Sequence, residues 1–333
     1  MSDDAKVRPD RDQLTGALRR AGVAAPERAR FEEVTAGTFN TVYRVVTADG
    51  RRLVLKIAPP AAVAGMSYEH DLQVTEAAFY RAAARALPVP EVVHADFGRD
   101  VLPSDWLLMT ELPGENWYDS RDRIDATGRA ALRERLGELV AGLHRVTGDG
   151  FGYPQDGLVA DWPTAFTAML EAVLADADRY AVDPPVSADR LRRLLAASRE
   201  ALVEVTTPSL VHFDLWAGNV LVDPAAARVT GVVDGERALW GDPLLDMPSL
   251  ALFARVEDDA DFLAGYRRAG GALDTAAATT LRRLDLYRCY LYLVMAVEAV
   301  PRGATGPEDE AFRDLVARQL RLAADRLDGG TTT

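Results

Sequence analysis

The first third of the chain carries apolar and polar positions in short, strand-like runs. Two such runs, 31–48 and 50–58, meet at Ala48-Asp49-Gly50, a tripeptide typical of a β-hairpin turn. Helical spacing is predicted over 10–22 and 68–86, and two further strand-like runs follow at 91–97 and 105–114. The pattern therefore predicts a mostly β segment that ends near residue 112.

From Pro113 onward the apolar spacing becomes helical. Six segments are predicted to be helices, at 128–146, 162–180, 187–205, 258–269, 275–299 and 308–327. Only 209–234 has strand character in this half, and no repeat of fixed period is present. We predict an α+β fold of two lobes, a small β-rich lobe at 1–112 and a larger, mostly helical lobe at 113–333.

Composition narrows the class of protein. Apolar residues make up 48% and charged residues 27%, as in a folded globular chain, and neither a signal peptide nor a membrane span is predicted. A single cysteine, Cys289, fits the reducing cytoplasm. The net charge of −13 argues against a nucleic-acid partner. The net charge is −2 over residues 1–112 and −11 over residues 113–333. The acidic second half would attract a cationic ligand, or it is an ordinary surface that keeps the protein soluble.

One lysine stands out against this background. The chain has 36 arginines and two lysines, and Lys56 lies inside the apolar run LVLKI. A charge in such a strand is unfavourable unless it has a partner. Lys56 is therefore a candidate functional residue.

A second candidate feature is the loop in LVHFDLWAGNVLVD, residues 210–223. Its apolar run breaks to present His212, Asp214 and Asn219 and resumes at once, and Asp234 follows the next apolar run. These side chains alone could equally supply turn hydrogen bonds. If 220–222 and 230–233 pair as an antiparallel hairpin, however, Asn219 and Asp234 lie at the same end.

The side-chain chemistry of this group suits a hard cation. A carboxylate and an amide oxygen are ligands for Mg²⁺, which takes its remaining ligands from water and phosphates. Asn219 and Asp234 are therefore the predicted metal ligands. Asp214 is then left as a spare carboxylate that can accept a proton.

Together with Lys56, these residues form the set that phosphoryl transfer requires. Glu76 is the predicted partner of Lys56, with Glu69 as its competitor. A small polar loop before the lysine strand could cover phosphates with its backbone N–H groups, and a hinge between the two halves could hold an adenine ring. The loop contains Thr35, Gly37, Thr38 and Asn40, and the hinge contains Glu111 and Leu112.

With these motifs in order, the chain resembles the aminoglycoside-phosphotransferase and small-molecule-kinase family, relatives of protein kinases, over roughly residues 30–300. The resemblance is carried by TAGTFNTVYRV, LVLKI, TEAAFYRAAARALPVPEV, LLMTELPG, GELVAGLHRV, LVHFDLWAGNVLVD and VTGVVDGERALWGDPLLDM. It implies a bilobal protein-kinase-like fold whose first lobe binds the nucleotide.

The resemblance also implies roles for individual residues. Asp214 would be the catalytic base, and Asn219 and Asp234 would bind metal. Lys56 would hold the α- and β-phosphates, and Glu76 would orient it. Asp246 would hold the catalytic loop, while His212 and His144 are interpreted as structural.

Two positions depart from the family pattern. Phe213 stands where many relatives carry glycine, and Gly235 stands where an aromatic residue is common. Neither change removes a catalytic group. We expect both to reshape the substrate edge of the site.

The predicted function is an ATP- and Mg²⁺-dependent O-phosphotransferase acting on a small molecule, with GTP as an open alternative to ATP. An antibiotic, such as an aminoglycoside or another sugar-bearing compound, is the favoured acceptor and could be cationic. A metabolic kinase of the choline, homoserine, fructosamine or methylthioribose type is the alternative. A metal-dependent hydrolase lacks a use for Lys56, and a pseudokinase would be expected to lack one of the catalytic groups. No membrane, nucleic-acid or obligate protein partner is predicted.

Overall fold

The computed structural model describes residues 6–35, 39–60 and 62–329. Within these ranges no helix is both long and apolar enough to cross a lipid bilayer.

The first part of the chain forms a five-stranded antiparallel sheet. Its strands are β1 (Arg30–Val34), β2 (Thr41–Val46), β3 (Arg52–Ile57), β4 (Val92–Asp96) and β5 (Trp106–Thr110), in the spatial order β1-β2-β3-β5-β4. The predicted hairpin turn between β2 and β3 is confirmed, because the Gly50 N–H donates to Thr47 O at 3.0 Å and Gly50 has φ +84°. Lys56 lies in the central strand β3, between Val42 and Leu107 on its neighbours.

Two helices accompany this sheet. Helix α1 (Arg11–Arg20) begins at a capping box in which the Asp10 carboxylate accepts from the Gln13 N–H at 2.8 Å. Helix α2 (Leu72–Ala83) is shorter than its predicted span of 68–86, and it begins late because Asp71 has a left-handed backbone (φ +52°) that cannot continue a helix. Glu76 lies in the second turn of α2 and is fully buried.

The rest of the described chain is mostly helical. Its helices are α3 (Trp117–Ser120), α4 (Ala126–Leu143), α5 (Trp162–Arg179), α6 (Ala188–Ala197), α7 (Arg199–Val203), α8 (Met247–Leu250), α9 (Ala260–Arg268), α10 (Ala278–Glu298) and α11 (Glu310–Leu327). The prediction of one helix over 187–205 is wrong: Ser198 separates α6 from α7, and its hydroxyl donates back to Leu194 O at 2.7 Å.

Two small sheets interrupt these helices. One contains β6 (Glu115–Asn116), β8 (Val220–Asp223) and β9 (Arg228–Val232), and the other contains β7 (Ser209–Val211) and β10 (Leu239–Gly241). Strands β8 and β9 pair antiparallel, as predicted, with Val220 opposite Val232. The loop that carries the candidate residues is therefore held between two sheets.

The hydrophobic core covers both faces of the large sheet. Strand β5 divides by its two-residue period: Trp106 and Leu108 belong to a cluster with α1, whereas Leu107 and Met109 belong to the large cluster that also contains α2 and the helices after residue 117. The fold is the predicted antiparallel sheet followed by a largely helical region. The boundary at residue 112 stays a prediction.

Candidate active site

The loop between β7 and β8 is anchored by one buried carboxylate. Asp246 accepts from the His212 N–H at 3.2 Å and from the Phe213 N–H at 2.6 Å. Its Oδ2 also lies 3.0 Å from Nε2 of His144, whose Nδ1 lies 2.9 Å from the Tyr266 hydroxyl. These contacts are those expected if Asp246 holds the loop and His144 is structural.

The same loop uses a strained backbone. Phe213 has φ +68°, a region that favours glycine, and its ring is buried against Tyr290 with centroids 5.5 Å apart. Because the ring faces the core and not the cleft, the expectation that Phe213 reshapes the substrate edge is wrong. His212 is also buried, and its Nε2 lies 3.0 Å from Val233 O.

The β8–β9 hairpin brings the predicted metal ligands together. The Val233 N–H donates to Asn219 O at 3.0 Å, so Asn219 and Asp234 lie at the same end of the hairpin. The Asn219 amide nitrogen donates to Asp214 O at 2.8 Å and to Asp214 Oδ2 at 3.1 Å. The oxygen of the same amide is thereby left for another partner, and Asp214 is fixed beside it.

Burial is the main influence on the pKa of Asp214. It raises the pKa of this carboxyl from 3.8 to about 6, although the positive charge of Arg237 acts in the opposite direction. A carboxylate with this pKa is ionised near neutral pH and is a better proton acceptor than an exposed aspartate. This is the property expected of a general base.

Lys56 lies at the centre of a cluster of carboxylates. Its Nζ is 2.8 Å from Glu76 Oε2, 2.6 Å from Asp234 Oδ1 and 2.8 Å from Glu236 Oε2. Burial alone would lower the pKa of Lys56, but the three negative charges together raise it well above its ordinary value. The structure thus pairs Lys56 with Glu76, and not with Glu69, which contacts Arg302.

Two of the carboxylates around Lys56 have pKa values shifted in opposite directions. Burial raises the pKa of Glu76 to about 7, despite the attraction of Lys56. Lys56 instead lowers the pKa of Asp234, whose side chain is 49% exposed to the cleft. Asp234 is therefore the carboxylate that stays ionised and accessible to a cation.

Sequence reasoning missed three polar residues of this cluster, Gln73, Tyr80 and Glu236. The Asn40 amide donates to Glu236 Oε2 at 2.9 Å, and Gln73 donates to Asn40 Oδ1 at 3.0 Å. The Tyr80 hydroxyl donates to Glu76 Oε1 at 2.7 Å and accepts from the Asp234 N–H at 3.1 Å. The spacing Asp234-x-Glu236 was a usable signal for Glu236, whereas Gln73 and Tyr80 carry no local motif.

Gly235 fits against a ring supplied by helix α2. A Cβ on Gly235 would lie 2.7 Å from Phe79 Cγ and would overlap that ring. Phe79 in turn packs edge-on against His212, with ring centroids 5.1 Å apart. An aromatic ring from α2 thus fills the space beside Gly235, and Gly235 is not among the residues that line the cleft, so the expectation that Gly235 reshapes the substrate edge is wrong.

The predicted nucleotide-binding residues are distributed around one cleft of about 2160 Å³. Lys56, Glu76, Glu111 and Leu112 line it, and Glu111 is fixed by Arg52 at 2.8 Å. Asn40 also lines the cleft, although its side chain is engaged with Glu236. Thr35 lies in an exposed turn after β1, and Gly37 and Thr38 lie outside the described residues.

The donors present fit a magnesium ion completed by phosphates. Among the residues described, no three His, Cys, Asp or Glu side chains form a ready metal cluster. Mg²⁺ needs only one or two carboxylates when substrate phosphates supply other ligands. The exposed carboxylate of Asp234 and the available amide oxygen of Asn219 meet that need.

Comparison with known proteins identifies the class. The model of the phosphotransferase enzyme family matches residues 30–287, so the chain belongs to this family. The predicted resemblance to aminoglycoside phosphotransferases and small-molecule kinases is confirmed, as is the prediction of a phosphotransferase enzyme.

Individual relatives show how the similarity is distributed. The chain is 29% identical over 193 residues to an aminoglycoside 3'-phosphotransferase of Streptomyces fradiae, covering 54% of this chain and 63% of that protein. It is 24% identical over 278 residues to a probable ketoamine kinase of Lactiplantibacillus plantarum, and this match covers 79% of this chain and 86% of that protein. It spans less than two thirds of the length of several relatives that it matches, including 23% and 25% of two proteins from mouse and rat.

A solved structure shows the same fold. The crystal structure of a thermostable mutant of aminoglycoside phosphotransferase APH(4)-Ia, a ternary complex with ADP and hygromycin B, superposes with a TM-score of 0.64. The match has 20% sequence identity and covers 96% of this chain and 99% of the other.

Proposed function

We propose that this chain transfers the γ-phosphoryl group of ATP, with Mg²⁺, to a hydroxyl of a small molecule. The observation that carries the proposal is the position of Asp214 in the same cleft as the Lys56 cluster, fixed by Asn219. A base for the acceptor hydroxyl and a cation for the nucleotide phosphates are the two parts that this reaction requires.

Asp214 would accept the proton of the acceptor hydroxyl as that oxygen bonds to the γ-phosphorus. The bond from phosphorus to the β–γ bridging oxygen breaks in the same displacement, and ADP leaves. The pKa of Asp214, about 6, keeps the carboxylate ionised before the reaction and able to take up the proton during it. Asn219 would hold this carboxylate in place through its amide N–H.

Lys56 would bind the nucleotide phosphates. In the structure its ammonium is shared by three carboxylates, so arriving phosphates would compete for it with Asp234 and Glu236. Asn219 and Asp234 would hold Mg²⁺, which neutralises charge on the phosphates when bound. Glu76, buried and tied to Tyr80, would keep Lys56 aligned.

An antibiotic of the aminoglycoside or another sugar-bearing class is the proposed acceptor. The relative in Streptomyces fradiae is named for aminoglycoside phosphorylation and matches at 29% identity, which supports this choice. A ketoamine is the second candidate, because the relative named as a ketoamine kinase is covered over 86% of its length. We propose the cytoplasm as the location, since Cys289 is a buried thiol that suits a reducing compartment.

The test is a panel of acceptors with purified protein and Mg²⁺-ATP. The panel contains aminoglycosides, other sugar-bearing antibiotics, ketoamines, choline and homoserine. We expect ADP release that depends on one acceptor and a product heavier by one phosphoryl group. Asp214→Asn should lower this rate by about 10²–10⁴. Nucleotide binding without turnover on any acceptor would contradict the proposal.

A further inference from the structure

The cleft that contains Asp214 also has a wall that is largely apolar. This wall is formed where the end of α8 passes α10 and α11, and Trp216 of the catalytic loop lines the same cleft. Its side chains are those of Leu252, Phe253, Leu291, Met295 and Phe312. We call these five residues the apolar wall.

The apolar wall is held in a fixed arrangement. Phe253 stacks on the buried Tyr292, with ring centroids 5.8 Å apart and planes 10° apart, and its N–H donates to the Tyr292 hydroxyl at 3.0 Å. Phe312 packs edge-on against Phe253, with centroids 5.7 Å apart. Phe253 also has φ +63°, and strained backbone of this kind is concentrated at ligand-binding sites.

Phe312 is also unusually accessible for its size. It is 50% exposed, although it belongs to an aromatic group whose other members are mostly covered. Keeping a phenyl group in water at the mouth of a cleft is unfavourable, and a ligand that covers it recovers that free energy.

Three arginines that line the same cleft are paired with carboxylates. Arg237 lies 2.7 Å from Glu298, and Arg302 lies 3.3 Å from the same carboxylate. Arg133, which lines the same cleft, lies 2.7 Å from Asp259. An apolar group on the wall leaves these ion pairs intact, so that no partly buried charge loses its partner.

We propose that the acceptor carries an apolar portion, alkyl or aromatic, that lies on the apolar wall while its hydroxyl faces Asp214. This assignment rests on the proposed function, because it places the reacting hydroxyl at that carboxylate. Among the proposed sugar-bearing acceptors, the class is therefore a glycoside that also carries an apolar substituent or aglycone.

The test is a homologous series of n-alkyl β-glucosides, from methyl to octyl, titrated calorimetrically into the full chain with Mg²⁺-ADP. Each methylene that reaches the wall should tighten binding by about two- to fourfold. Phe312→Ala and, as a volume-conserving second variant, Met295→Gln should flatten this dependence. Phe97→Ala is the matched control, because Phe97 is 40% exposed and lies outside the cleft.

Binding and turnover are measured separately so that the two proposals can fail separately. A Kd that does not change with chain length, no binding at any length, or an equal effect of Phe97→Ala would overturn the apolar wall as an acceptor site. Chain-length-dependent binding that Phe312→Ala abolishes would support it even if no phosphoryl transfer occurs on any acceptor. Chain-length-dependent binding without phosphoryl transfer to any acceptor would thus overturn the proposed function but not the apolar wall as an acceptor site.

Discussion

Replacing the proposed base should make the protein more stable while it removes activity. The native pKa of Asp214 is about 6, above its ordinary value of 3.8, so the folded state binds this proton more tightly than the unfolded state. Between pH 4 and pH 6 the wild type therefore loses stability as the pH rises. A shift of about two units corresponds to about 3 kcal/mol, an upper value because part of the carboxylate contacts solvent.

Asp214→Asn removes this charge and keeps an oxygen for the Asn219 amide. The free energy of unfolding, measured in urea with EDTA and no nucleotide, should be nearly the same for both proteins at pH 4. By pH 7 the variant should be more stable by about 2–3 kcal/mol, because it has no charge to desolvate. Turnover should fall in the same variant.

Asp246→Asn, at the carboxylate that anchors the loop of Asp214, is the matched control. Asp246 accepts from two backbone N–H groups and contacts His144, and an amide cannot accept with both of its ends. This variant should lose about 1–3 kcal/mol at pH 7. The compared quantity is the difference in free energy of unfolding between Asp214→Asn and the wild type. If this difference is no larger at pH 7 than at pH 4, burial does not control the pKa of Asp214.

Three further predictions concern other residues of the candidate active site. Arg237→Gln removes a positive charge that lowers the pKa of Asp214, so the acidic limb of kcat/KM against pH should move to higher pH. Gly235→Ala should cost about 1–3 kcal/mol in urea unfolding because its methyl overlaps the ring of Phe79, and it should cost much less in a Phe79→Ala background. Lys56→Met should destabilise the protein by about 3–5 kcal/mol at pH 8, since three carboxylates lose their cation, and by less at pH 5, where protonation relieves them.

Each of these predictions has its own contradicting result. Arg133→Gln alters another arginine of the cleft, paired with Asp259, and should leave the pH profile in place; a profile that moves equally in both variants would contradict the role of Arg237. Additive effects of Gly235→Ala and Phe79→Ala would show that the two positions do not share one space. A loss in Lys56→Met that is independent of pH would point to packing rather than charge.

The parts of the site that sequence reasoning predicted are those encoded locally. The β8–β9 hairpin fixes Asn219 and Asp234 at one end by pairing alone, and two short apolar runs are enough to predict it. Lys56 was identified because a charge inside an apolar strand requires a partner. Glu76 was predicted over Glu69 as the partner of Lys56, but periodicity over 68–86 does not reveal that α2 begins only after the left-handed Asp71, which leaves Glu69 outside the helix.

The parts that were missed join segments far apart in the chain. Asn40 meets Glu236 across 196 positions, and Tyr80 meets the Asp234 N–H across 154. Neither contact has a spacing that a single sequence could display. Their partners become visible only when β3, α2 and the turn after β9 are folded against one another.

Gly235 shows how such a contact changes the interpretation of a local departure. Taken alone, a glycine where relatives commonly carry an aromatic residue looks like space opened in the site. The structure shows no such space, because the ring of Phe79 lies against Gly235 and packs on His212. Helix α2 therefore places Glu76, Phe79 and Tyr80 around the segment that carries Asp234. Because that helix both aligns Lys56 and abuts the proposed metal ligand, a shift of α2 would disturb the two together. The glycine is therefore one half of a complementary pair, and its consequence lies in the alignment of Asp234 rather than in the choice of acceptor.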